Sequence, residues 1–196
     1  MRTKAISSKQ TPLEEVSFCF VDTETTGISP ARGSRVCELA ILRVRNGQVE
    51  GELNALVDPQ SPIDPYAQAV HGITDAMVAG QPTFEAFVPK VETLFSGAVF
   101  VGHNANFDVS FLRSEFERAG RGLPELTVLD TLRWARRHYK FPSNRLGALA
   151  EGFGFDTQGA HRAGRDVELL KRVFDRFVED FRTKKKIHTL EGLITL

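Results

Sequence analysis

Cysteine is scarce in this chain: its 196 residues include two, Cys19 and Cys37. Both lie in apolar, strand-like runs, which excludes a disulfide framework and fits buried, reduced thiols of a cytoplasmic protein. Net charge is missing as well, with 25 Lys and Arg against 25 Asp and Glu. That balance removes the global basic field of a protein that coats duplex nucleic acid, but not an enzyme that grips a single chain end. No apolar run approaches membrane-spanning length, and the first fifteen residues are polar without a signal-peptide core, so neither membrane insertion nor secretion is expected. Internal repeats and low-complexity tracts are absent. The length suits one α/β domain over about 16–182 rather than two, after a polar leader at 1–15 and before a tail at 183–196.

What is present is organised around Phe18-Cys19-Phe20-Val21-Asp22-Thr23-Glu24-Thr25-Thr26-Gly27. An apolar strand, about Val16 to Val21, runs into two acids and a Thr-Thr-Gly turn. Side chains two apart on a strand share a face, so Asp22 and Glu24 point the same way. They repel each other, burial raises the cost of their charge, and a hard divalent cation relieves both. An isolated D-x-E is more often a solvated turn, and it is the downstream segments that change that balance.

Arg35 to Arg45 and Gln48 to Val57, joined at Asn46-Gly47, form the strongest hairpin signal. Glu38, among apolar neighbours within it, stands out as a residue to follow, and its plainest reading is an edge position facing water. Helical turns are expected at Tyr66 to Val70 and after Thr74, and Thr83 is expected to cap a longer helix ending at Gly97. Ala98 to Val101 is a candidate central strand. The helix after His103-Asn104-Ala105-Asn106-Phe107-Asp108 puts Asp108 beside its buried stripe near the N-terminus, where the macrodipole alone could account for it. A short strand at Thr127 to Leu129 precedes a helix capped by Asp130. The stretch from Arg133 to Arg145 is the most basic region and gains meaning only beside the acids, where it could hold phosphates. His161-Arg162-Ala163-Gly164-Arg165-Asp166 opens the last long helix, to about Arg182, with Asp166 on its core side.

Asp22, Glu24, Asp108, His161 and Asp166 all sit where elements start or stop. Converging at one edge of a sheet, the four acids could hold two divalent ions that clamp an in-line phosphoryl displacement, and an imidazole suits a base near neutrality.

The three segments Asp22 to Gly27, His103 to Asp108 and His161 to Asp166 resemble, in order and spacing, the exonuclease motifs of the DEDDh family. They are most similar to the exonuclease domain of the epsilon proofreading subunit of bacterial DNA polymerase III, whose likeness extends to Val70-His71-Gly72-Ile73-Thr74. The resemblance implies an RNase H-like fold, a central mixed sheet of about five strands flanked by helices. It implies 3′-to-5′ hydrolysis at single-stranded or frayed DNA ends, in proofreading or repair, releasing nucleoside monophosphates. Asp22, Glu24, Asp108 and Asp166 become ligands of two Mg²⁺ or Mn²⁺ ions and His161 the general base. Thr25, Thr26 and Gly27 meet the terminal nucleotide through their backbone, and His71, Ile73, Asn104 and Phe107 are candidate base contacts. The tail becomes the candidate contact for a polymerase or clamp partner. An exoribonuclease like RNase T or oligoribonuclease shares the same site residues. A non-catalytic binding subunit is disfavoured because all five catalytic positions are filled. Gly164 departs from the relatives: glycine inside a helix costs roughly 1 kcal/mol.

Overall fold

In a computed structural model, which describes residues 11–159 and 161–196, five strands form one mixed sheet. Strands β1 (Ser17–Thr25), β2 (Val36–Arg45), β3 (Gln48–Leu56), β4 (Ala98–Gly102) and β5 (Thr127–Asp130) lie in the order β3-β2-β1-β4-β5. The first three run antiparallel in sequence, whereas β4 is parallel to β1 and β5 to β4. The β2–β3 hairpin turns at Asn46 (φ 47°) and Gly47 (φ 75°), the left-handed pair that a two-residue turn needs. The middle strand is β1, with β4 beside it.

Apolar residues of β1 alternate between two cores. Phe18 and Phe20 face α5 (Thr131–His138), α6 (Leu146–Gly152), α7 (Ala163–Lys185) and α8 (Leu190–Ile194). Cys19 and Val21 face α3 (Phe84–Phe95) and α4 (Asn106–Arg118). A smaller cluster of Cys37, Ile63, Ile73 and Val78 lies under α1 (Pro65–His71) and α2 (Asp75–Val78). Phe174 of α7 packs on Phe18, Phe20 and Trp134 with ring centroids 5.0, 5.3 and 5.6 Å apart. That contact fixes α7 against β1, two turns beyond Asp166.

Several local expectations change. β1 continues to Thr25 because its ladder with β2 does, so the acids are strand residues rather than a turn. Thr74 and Thr83 occupy N-cap positions without a capping side-chain bond. Residues 1–10 of the expected leader lie outside the described residues, but Leu13–Glu15 is an ordered 3₁₀ turn with Leu13 buried. The tail packs on the chain itself. Pro12 bridges Thr189, Leu190 N donates to Thr11 O, and Leu190 and Leu193 are buried in the α7 core. Those two leucines are thus used inside the domain, and Ile194 is the exposed one among the tail's large apolar residues. Cys19 and Cys37 are free and buried. Among the described residues no helix is long and apolar enough to cross a membrane.

Candidate active site

Pairing of β1 with β4 stops at Phe20, so β1 runs on past the end of its neighbour. Beyond that point Thr23 donates from both N and Oγ1 to Asp108 Oδ1, at 3.0 and 2.8 Å. Asp108, the buried acid of the α4 first turn, is thereby joined to β1. Asp22 and Glu24 project on the opposite face of the strand, the face that carries Phe18 and Phe20. Asp166 reaches them from the first turn of α7. Asp22, Glu24 and Asp166 each offer an oxygen, all within 4.8 Å of one another.

These acids have no cation of their own: among the described residues no Lys or Arg forms an ion pair with Asp22, Glu24, Asp108 or Asp166. Burial, then Asp108, Glu24 and Asp166, push Asp22 well above the usual carboxylate range. Burial and then the charge of Asp166 raise Glu24 to about 8. Burial takes Asp108 to about 7 against the opposing bonds from Thr23. Asp166 is raised by burial, with the His161 N–H, 3.1 Å from its Oδ2, as the main opposing influence. Hard oxygen donors gathered so closely, and left uncompensated, fit a divalent cation.

The guanidinium of Arg162, whose charge favours the Glu24 carboxylate, is engaged elsewhere. Glu38 stands across the ladder from Glu24, and β2 bulges there, where the register shifts. It does not face water: it is 3% exposed and accepts from Arg162 Nη2 at 2.6 Å and from Ala163 N at 2.9 Å. A β2 carboxylate thus caps α7 across the fold. Gly164 gains its reason here, since a Cβ would come within 2.3 Å of Asn54 Nδ2 on β3. Glu38 and Asn54 together seat the turn that carries His161 and Asp166. His161 is exposed, with φ at 68°.

Two cavities flank the carboxylates. One, of about 480 Å³, is lined by Asp22, His161 and Asp166 together with His103, Arg136, Asn144 and Arg145. The other, of about 430 Å³, is lined by Thr23, Glu24, Thr25 and Gly27 with Tyr66, Val70, His71 and Phe107. His71 is locked there as a neutral ring: Nδ1 accepts from Ile73 N at 3.0 Å and Nε2–H faces Thr25 O at 3.3 Å. Burial lowers its pKa.

Not every expected contact lies with these. Ile73 is fully buried in the small cluster and lines neither cavity, because its side chain packs with Cys37 and Val78. Thr26 spends its backbone internally, its N–H donating to Arg35 O and its carbonyl accepting from Asp64 N. Asn104 (φ 69°) is held by Asp130 and borders a third cavity with Arg133 and Arg136. The sequence reading missed Glu115, which is buried and takes Arg35 and Val36 N. Its position on the same α4 stripe as Asp108 is the signal that could have found it.

A mixed sheet covered by helices, with carboxylates gathered at the end of its middle strand, defines an RNase H-like nuclease architecture. The family described as Exonuclease matches residues 19–174, and the chain belongs to that family. The 3′-5′ exonuclease DinG of Bacillus subtilis (strain 168) is 33% identical over 84% of this chain and 18% of its own length. A DNA polymerase III of PolC type from Halalkalibacterium halodurans is 34% identical over 90% of this chain and 12% of its own. The chain therefore spans less than a fifth of either relative. Exonuclease X in complex with 5′-overhanging duplex DNA superposes with a TM-score of 0.66 and 26% identity, covering 91% of this chain and 99% of that one. The nuclease domain of 3′hExo, a DEDDh family member bound to rAMP, shares the fold with a TM-score of 0.71 at 19% identity, over 85% of this chain and 93% of its own.

Proposed function

We propose that the chain is a metal-dependent 3′-to-5′ exonuclease of the cytoplasm that removes nucleoside monophosphates from DNA ends, in proofreading or repair. The observation that carries the reading is the set of three carboxylates within 4.8 Å, two of which, Asp22 and Asp166, line a cavity together with His161. Asp22, Glu24 and Asp166, with Asp108 behind them, would hold two Mg²⁺ or Mn²⁺ ions, which when bound supply Lewis acidity and neutralise charge on the phosphate. The protein's own groups do the rest. His161 accepts the proton of the attacking water. Phe107 and Tyr66 offer ring faces to the terminal base, while His71 and the backbone of Thr25 and Gly27 shape its sugar site. Asp108 holds the end of β1 in place through Thr23. The DinG and PolC-type relatives support DNA as substrate and a polymerase context.

The test is a panel of matched DNA and RNA oligonucleotides labelled at either end, with Mg²⁺, Mn²⁺ or EDTA. Mononucleotides should leave the 3′ end of DNA in either metal and not in EDTA. Clear preference for RNA would replace the substrate, and absence of mononucleotide release from every oligonucleotide would end the nuclease reading.

A further inference from the structure

Several arginines around the sheet stand opposite a carboxylate, as Arg35 does with Glu115, Arg43 with Glu50 and Arg162 with Glu38. Arg133, Arg136 and Arg145 do not. All three are exposed, and among the described residues their side chains make no ion pair or hydrogen bond. Arg136 and Arg145 line the cavity that ends at Asp22, His161 and Asp166. Leu132 and Arg136 continue it into a neighbouring cavity of about 550 Å³ bordered by Arg133. Three guanidinium groups without a carboxylate partner thus line one track leading away from the carboxylates.

The track is built rather than loose. Arg133 and Arg136 lie three apart on one face of α5, where like charges oppose helix formation. His103 fastens α5 to the following loop, with Nε2 donating to Asn144 O at 2.8 Å and Nδ1 2.9 Å from Thr131 Oγ1. Asn144 lines the same wall, and its buried Oδ1 has no hydrogen-bond partner among the described residues. Arg137 is not part of the track, because it is bonded to Leu196 O. No Phe, Tyr or Trp lines either of these two cavities, whereas Phe107 and Tyr66 line the cavity across the carboxylates. Cations without stacking surfaces suit a sugar-phosphate backbone read without regard to sequence.

We propose that Arg133, Arg136 and Arg145 form a phosphate-binding ledge that holds the strand behind its cut end. The proposal rests on the nuclease reading and names the part of the substrate that this wall takes: several consecutive phosphates of a single strand.

The test compares the wild-type residues with R133Q/R136Q/R145Q, both in an Asp166→Asn background, by fluorescence anisotropy with Ca²⁺. The ligands are a dinucleotide and a single-stranded 12-mer over a salt series, and a melting curve verifies the fold. Affinity for the 12-mer should fall at least about tenfold, and the log–log salt slope should lose about 0.7 for each phosphate contact removed. The dinucleotide should lose less than the 12-mer. An unchanged 12-mer affinity and slope would overturn the ledge. Equal losses for dinucleotide and 12-mer would overturn it too, by moving the arginines to the scissile phosphate. Wild-type protein that binds the 12-mer with the full salt slope but never cuts it would sink the nuclease reading alone.

Discussion

The two cavities that meet along the end of β1 are built from opposite materials. On the α5–α7 side, His161 and unpaired arginines surround Asp22 and Asp166. On the α1–α4 side, Phe107, Tyr66 and Val70 surround Glu24, and the one imidazole, His71, is held neutral by its bonds. A strand end has the same two-sided character, with flat apolar bases and a charged backbone. On the proposed reading, the two walls divide two jobs, holding the base and holding the phosphates, with hydrolysis at the carboxylates between them.

Asp166→Asn tests the shared centre and should have the largest effect. Turnover should fall on the order of 10³-fold, because the carboxylates act as one unit. Melting temperature should hold or rise, since a repelled, buried charge is removed. Single-turnover rates within tenfold of wild type would take Asp166 out of the site.

The raised acids make a second difference between the walls measurable. Glu24 titrates near 8 in the fold against 4.5 ordinarily. Between those values the folded state keeps a proton that the unfolded chain has lost, so metal-free stability should fall as pH rises from about 4.5 toward 8. A divalent cation displaces that proton. Mg²⁺ or Mn²⁺ should therefore raise the melting temperature more at pH 8 than at pH 6, and metal affinity should rise over the same range. A flat metal-free melting temperature across that window would contradict the uncompensated cluster.

Phe107→Ala probes the apolar wall alone. Loss of one stacking face should raise KM about tenfold, and by the same factor for short and long oligonucleotides. The arginine wall should behave in the opposite way, with losses that grow with length. If Phe107→Ala also showed a length-dependent loss, the division between the walls would fail.

How much of this was legible in the chain followed how local each cause was. Asn46-Gly47 fixes its turn by its own dihedrals, and the hairpin boundaries came out within a residue or two. Asp22 and Glu24 announced a shared face because a strand's period is a backbone property. Asp108 was ambiguous because helix-dipole placement and burial look alike in sequence, and only Thr23, 85 positions away, decides between them. Glu38 stood out but could not be resolved for the same reason: its partners Arg162 and Ala163 lie more than 120 positions away. The tail looked free because its leucines find their core only once α7 has docked.

The smallest expected effect concerns the seat of the basic wall. In a helix Ala is favoured over Gly by about 1 kcal/mol, so Gly164→Ala ought to stabilise α7. Asn54 stands in the way, its Nδ2 2.3 Å from where the new methyl would sit. Asn54 can move its side chain at some cost, so the single substitution should come out near neutral or destabilise by about 1 kcal/mol. Asn54→Ala clears the space, and the double variant Asn54→Ala/Gly164→Ala should then recover the helix gain. A coupling of about 1 kcal/mol across that cycle, read by urea unfolding, is what direct contact predicts. Strict additivity would mean that β3 does not seat the α7 turn, leaving Glu38 to hold His161 and Asp166 against the sheet.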